Sequence, residues 1–232
     1  MRFFLFCFTF CAIALYKNAW AQKILNLPNY DNRRYHYGFQ LGLFNSTLNL
    51  YPKAHILLPE DTVSYVAGNS NAGFLIGFLL NRRLKDELWS LRFVPSVSFY
   101  EYKAHIEFKN SKFHESITVQ STYIEMPLLI KYRSLRRHNF RMYMVGGTSY
   151  SFQVGGGKGA DELKTLALIR DNAEIVYGFG FDFYFQMFKF APEIRISHGL
   201  TNVLDKQFEK SYFTQASEQI FTHKVALIFN FE

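Results

Sequence analysis

The sequence predicts an all-β protein: an eight-stranded antiparallel up-and-down transmembrane β-barrel. Long stretches alternate strictly between large apolar and small or polar residues, the period-two signature of strands. Aromatic residues make up 19% of the 232 positions, with 26 Phe and 15 Tyr, while charged residues reach only 19%, below the roughly 25% of soluble domains. The connections between the alternating stretches are long and short in turn. Such aromatic content argues against a disordered chain. A mean hydropathy of −0.08 argues against a bundle of membrane helices. Beyond the N-terminus no apolar run approaches the roughly 18 residues that a spanning helix needs.

Residues 1–21 read as an export signal. Arg2 starts it, Phe3 to Tyr16 is almost wholly apolar, and Ala19-Trp20-Ala21 fits the small-x-small cleavage rule. Cys7 and Cys11 both lie inside it. Cleavage after Ala21 therefore leaves 211 residues without cysteine, which removes disulfides, thiolate metal sites and a cysteine nucleophile. Without Arg2 and Lys17 the remainder holds 24 basic and 19 acidic residues, a net charge of +5. The cations fall in small clusters at Arg33-Arg34, Arg82-Arg83 and Arg133 to His138. In an exported chain they suit a membrane surface, and nucleic acid is not an expected partner. Residues 22–34 are expected to form a periplasmic N-terminal segment, and 35–232 the barrel.

Each strand follows from its alternation. From Tyr35 to Leu43 the odd positions are Tyr, Tyr, Phe, Leu and Leu, against His36, Gly38, Gln40 and Gly42. From Ile175 to Met187 every odd position is large and apolar, and the even face holds Val176, Gly178, Gly180, Asp182, Tyr184 and Gln186. The same pattern gives strands at about 73–81, 88–101, 118–132, 140–152, 189–200 and 222–231. That makes eight in all. Long connections at about 45–72, 102–117, 153–171 and 201–221 alternate with short ones at 82–87, 133–139 and 188. In an up-and-down sheet this places every long loop at one end and every tight turn, with both termini, at the other. Outer-membrane barrels have that asymmetry, whereas a Greek-key sandwich would scatter its long connections.

The aromatic face is expected to meet lipid, with Phe181 and Phe183 near mid-membrane. The small and polar face is expected to fill the interior, which in eight strands has room only for packed side chains. Asp182 should therefore point inward and tolerate Asn far better than Phe181 tolerates Arg. Arg92, Glu125, Lys131, Asp182, Glu193 and Arg195 form the interior polar cluster, read either as a polar pathway or as ion pairs that plug a narrow barrel. Pro95, Pro127 and Pro192 sit inside strand patterns, where each removes a ladder donor. Local bulges are the expected accommodation.

Several motifs also carry a resemblance. Tyr123-Ile124-Glu125-Met126-Pro127-Leu128-Leu129-Ile130-Lys131-Tyr132 resembles a strand of the PorT-like outer-membrane β-barrels of Bacteroidota. Phe190-Ala191-Pro192-Glu193-Ile194-Arg195 with His198-Gly199-Leu200-Thr201-Asn202 is similar to that family's next-to-last strand. The family pattern includes both Pro127 and Pro192. Asn26 to Asp31 leading into His36 to Gly42, Gly178 to Phe185 with Phe188-Lys189-Phe190, and the closing Phe229-Asn230-Phe231-Glu232 resemble the PorT/SprT subgroup of the type IX secretion and gliding machinery. The resemblance implies a role in protein secretion across the bacterial outer membrane, without enzymatic activity or cofactor, among outer-membrane lipid and other secretion proteins.

Other chemistry finds little footing. Gly155-Gly156-Gly157-Lys158-Gly159 lacks the Ser or Thr and the following helix of a phosphate loop. Ser197 and His198 point to opposite faces of one strand and cannot share a proton, which weakens a hydrolase triad with Glu193. No set of His, Asp and Glu has metal-ligand spacing. A small-solute channel and a lipid-modifying enzyme remain the alternative functions. The segment 22–34 is the expected place of partner contact, with Tyr30 as anchor and Arg33 and Arg34 facing acidic groups or lipid phosphates, unless it is merely a disordered leader.

Overall fold

Alternating strands that put large apolar side chains on one face leave the other face to close on itself. In the computed structural model they do so as a ring. The structure describes residues 24–52, 65–68, 71–107, 114–156, 171–204 and 217–232. The export signal expected at 1–21, Lys158 of the glycine-rich stretch and the tips of the long connections lie outside the described residues. The elements are β1 (Tyr35–Pro52), β2 (Tyr65–Gly68), β3 (Asn71–Arg83), β4 (Trp89–Phe93), β5 (Ser96–Glu107), β6 (His114–Arg133), β7 (Phe140–Gly156), β8 (Asp171–Tyr184), β9 (Lys189–Gly199) and β10 (Ser217–Phe231). All pairings are antiparallel. β1 closes the ring, with Phe39 opposite Phe231 of β10 on one side and Phe78 of β3 on the other.

The ten strands make eight staves. The register of β3 against β4 (Leu80 opposite Phe93) continues unshifted into β5 (Gly77 opposite Ser96), so β4 and β5 are one stave interrupted at Val94-Pro95. β2 extends the β3 stave by pairing with β5. No helix among the described residues is long and apolar enough to cross a membrane.

The prolines are accommodated without the expected bulges. Val94 N–H donates to the Pro127 carbonyl at 3.2 Å. The missing Pro127 donor, on the same side of its residue, therefore faces the interruption in the β4/β5 stave. At Pro192 the β8–β9 ladder skips two pairs, yet Gly180 opposite Glu193 and Phe183 opposite Phe190 keep one register. A ladder can omit a rung where a donor is absent, and no extra residue is needed. The register shifts among the described pairings lie elsewhere, at Tyr51/Pro52 and Thr122/Tyr123.

Strand ends also depart from expectation at the loop end. β1 runs on to Pro52, and β5 and β6 pair out to Glu107 opposite His114. Backbone pairing there continues past the apolar alternation, because ladder bonds do not depend on which face is greasy. At the turn end the chain reverses earlier than the pattern suggests. Phe185 N–H donates to the Phe188 carbonyl at 3.0 Å, so Phe185, Gln186 and Met187 belong to a turn. Their apolar character continues the alternation although the strand has ended.

The two faces are chemically distinct. Phe39, Leu43, Ile76, Phe78, Leu128, Ile130, Met144, Phe179 and Leu227 stand exposed on the outside. Tyr35, Tyr37, Trp89 and Tyr132 are exposed at the turn end of the same wall, as in the aromatic girdles of membrane barrels. Inside, toward the loop end, Phe44, Leu48, Leu75, Tyr100, Tyr123, Ile220, Ala226 and Ile228 pack with Val203 and Leu204. Those last two fold in after β9. Asn202 Oδ1 accepts from Leu204 N–H at 3.1 Å and from Ile220 N–H at 3.0 Å, which pins them across that end.

Candidate functional site

The barrel's midsection is filled by charge. Glu193 on β9 takes Arg92 on one carboxylate oxygen at 2.7 Å and Arg195 on the other at 2.6 Å. The Tyr143 hydroxyl donates to Glu193 as well, at 2.9 Å. Room for that tyrosine comes from Gly180, where a Cβ would lie 2.5 Å from the Tyr143 ring. Lys131 on β6 holds Asp182 on β8 at 2.8 Å, and Lys189 stands 3.7 Å from the same carboxylate. Lys189 reaches Glu232 at 2.6 Å, and Glu232 lies 3.5 Å from Arg92. One continuous network results: Arg92, Lys131, Tyr143, Asp182, Lys189 and Glu193 are 2% exposed or less, Arg195 is buried, and the Glu232 side chain is out of water.

Five of the six residues singled out from sequence belong to it. Glu125 does not. It forms a second group nearer the loop end, accepting from Lys224 at 2.7 Å and from the Tyr100 hydroxyl at 2.7 Å, with Glu174 3.8 Å from Lys224. Sequence reasoning missed Lys189, Lys224, Glu174 and Tyr143, although each has the inward parity of its strand. Extending the alternation along β7, β8, β9 and β10 would have found them. Glu232 keeps the inward parity of Asn230 one residue past the end of β10.

Ion pairs in so dry a place are costly to assemble, because desolvation offsets most of the attraction. They persist here because each charge meets an opposite one, and Asn81 donates to Glu232 at 2.8 Å while accepting from Arg92 at 3.0 Å. Together they leave the interior filled with side chains, the condition expected of an eight-stranded barrel.

The N-terminal segment closes the turn end. Tyr30 N–H donates to the Leu27 carbonyl and Arg33 N–H to the Tyr30 carbonyl, folding residues 27–33 into successive turns. Leu27 takes a left-handed φ of 48° where the chain reverses. Asn26 donates from its backbone to Asn139 Oδ1 and from Nδ2 to the Tyr184 carbonyl, both at 2.9 Å. Arg136 donates to the carbonyls of Asn26 and Leu27. The Tyr30 ring stacks on His36, and its hydroxyl donates to Glu232 at 2.9 Å, which joins the segment to the interior network.

Asp31 is the other fastening, and sequence reasoning passed it over. Its carboxylate accepts from Arg141 at 2.9 Å, from the Tyr184 hydroxyl at 2.9 Å and from Arg136 at 3.2 Å, with Arg133 at 3.6 Å. Burial alone would raise its pKa. Arg141, Tyr184, Arg136 and Arg133 outweigh that and hold it below the usual carboxylate value. Burial, and then Glu232, push the Tyr30 phenol far above its ordinary range, so it stays a donor. Arg33 and Arg34 are exposed, and their side chains form no ion pair among the described residues.

The imagined triad does not assemble. Ser197 is buried inside. His198 points outward, 2.9 Å from the Tyr177 hydroxyl and 2.6 Å from His223. Among the described residues no group of three or more His, Cys, Asp or Glu is placed to hold a metal.

The family model described as an outer membrane protein beta-barrel domain matches residues 20–205. The chain belongs to that family. Its place is the bacterial outer membrane. A search of curated proteins finds no match. Among solved structures the chain is similar to Neisserial surface protein A, at 10% identity and a TM-score of 0.47, covering 85% of this chain and 98% of that one. It is similar to the outer membrane protein OprG of Pseudomonas aeruginosa at 11% identity and a TM-score of 0.45, covering 84% and 93%. It is also similar to Ail, the attachment invasion locus protein of Yersinia pestis, at 10% identity and a TM-score of 0.36, covering 84% and 96%.

Proposed function

We propose that this barrel is a structural or assembly component of a type IX protein secretion system, neither a conduit nor an enzyme, with both termini in the periplasm. The single observation that carries the non-conducting reading is the filled interior. Arg92, Lys131, Asp182 and Glu193 close the midsection, Val203 and Leu204 lie across one end, and residues 24–34 across the other. A folded cargo could not pass even an empty eight-stranded barrel. The work must then be done through surfaces offered to other secretion proteins. The type IX assignment rests on the resemblance of the Tyr123–Tyr132 and Phe190–Asn202 stretches to PorT-like barrels.

Deleting residues 24–32 while keeping the cleavage site tests it. The expected result is normal barrel levels in the outer membrane with loss of secreted cargo, and loss of co-purifying secretion proteins after gentle detergent extraction. Normal secretion at normal barrel levels would overturn the segment's part in partner contact. Steady single-channel conductance of the purified intact protein in planar bilayers would favour the small-solute channel.

A further inference from the structure

Beside β1 at the turn end, Arg33, Arg34 and Arg82 are exposed and have no ion-pair partner among the described residues. Of the acids at this end, Asp31 is engaged by three arginines, Glu232 by Lys189, Asn81 and Tyr30, Glu87 by Arg83, and Asp86 by the Leu88 N–H. Arg82 pairs across the ladder with Tyr35 and lies 5.9 Å over its ring. Beside them is a groove of about 490 Å³ between the N-terminal segment, the start of β1 and the β8–β9 turn, lined by Leu27, Pro28, Arg33, Tyr35, Tyr37 and Met187 among others. Met187 is 91% exposed, a costly position for a large apolar side chain in water.

The groove continues onto the lipid-facing wall. Tyr37 leads up β1 to Phe39, which stacks on Phe231 at 4.9 Å; Phe190 and Phe188 stand 5.2 and 6.3 Å from Phe231. Cations outside any ion pair among the described residues therefore stand beside the exposed tyrosines of the turn end, next to a groove whose apolar members lead to an aromatic wall. We propose that this groove binds one anionic phospholipid of the adjoining leaflet. Its phosphate sits among Arg33, Arg34 and Arg82, and an acyl chain lies past Met187 and Tyr37 toward Phe39 and Phe231. A free phosphate would have no use for the apolar lining. An acidic peptide could not follow the groove into hydrocarbon.

Native mass spectrometry of the full chain in mild detergent, titrated with phosphatidylglycerol or phosphatidylcholine of equal chain length, tests this. One phosphatidylglycerol should be retained at least about tenfold better, since each surface arginine near an anionic headgroup contributes roughly fivefold. The Arg33→Gln/Arg34→Gln/Arg82→Gln variant should fall to the phosphatidylcholine level. Lys85→Gln/Arg137→Gln, which removes two exposed cations at the same end, should not. Arg33→Gln alone, whose side chain has no role in the segment's turns, should lose part of the preference even if the triple variant does not fold. Equal retention of the two lipids, equal loss in the control variant, or displacement by inorganic phosphate at matched concentration would each overturn the proposal. Equally tight binding of a six-carbon phosphatidylglycerol would overturn the acyl placement.

Discussion

Lys131 on β6 reaches past β7 to set its ammonium 2.8 Å from an Asp182 carboxylate oxygen on β8, with both side chains out of water. Tyr143, on the stave between, lies with its ring centre 3.6 Å from that ammonium. The pair thus ties together staves that share no ladder.

Asp182→Asn should insert into membranes but unfold at a clearly lower urea concentration, because it leaves Lys131 buried beside a neutral partner. Removing one member of a buried pair costs about 3–5 kcal/mol. Lys131→Met should cost a similar amount, and Lys131→Met/Asp182→Leu less than the two losses added. Gel mobility of unboiled samples across a urea series measures all three. Parity shows the direction of Asp182 and not its partners, so the expected size of this loss comes from the Lys131 contact.

Phe179→Arg should fail at a different step. Phe183, expected near mid-membrane, is next to the last residue of β8 and pairs with Phe140 at the start of β7, so the outward residue deeper in the wall is Phe179, where Arg near the bilayer midplane costs roughly 2–4 kcal/mol. The variant should refold poorly into vesicles. If it inserts as efficiently as Asp182→Asn, the assignment of the two faces is wrong.

Gly180→Val should destabilise by about 1–3 kcal/mol, the usual cost of overpacking, by driving the Tyr143 ring from its place. Tyr143→Phe should cost about 1–3 kcal/mol by leaving a buried Glu193 oxygen short of one donor. Combined, the two should cost less than their sum in the same urea series. Strict additivity would show that Gly180 does not act through Tyr143.

Acid should loosen the N-terminal segment before it unfolds the wall. The folded pKa of Asp31 is depressed. Its contribution is therefore fully present above the unfolded value, near about 3.9, and is lost as pH falls through the lower folded value. Hydrogen exchange of residues 24–34 should rise over that interval while β7 and β8 stay protected. Asp31→Asn should show fast exchange already at neutral pH. Protection unchanged by that substitution would remove Asp31 as the fastening.

Much of this was legible in the sequence. Parity from Tyr35 to Leu43 and from Ile175 onward gave the staves and their faces, because a barrel wall writes lipid and interior on alternate positions. Loop asymmetry gave the ends. Where strands stop was less legible, since pairing from Ala104 to Glu107 needs no apolar pattern and Phe185 to Met187 keeps one through a turn. The interior cluster was read as a set of residue types, but its division into two groups depends on height along the barrel, which alternation does not encode. Asp31 was invisible for a simpler reason: its arginines come from positions 133, 136 and 141, and no local pattern connects them.

The bond from Tyr30 to Glu232 also fixes an order of events. Glu232 follows β10, the stave that completes the ring, and Asp31 draws its partners from β6, β7, β8 and the connection between β6 and β7. The segment that emerges before any stave therefore has no complete seat until the ring has closed. Its docking marks finished assembly, so a barrel stalled short of closure would display residues 24–34 free to whatever monitors or escorts it.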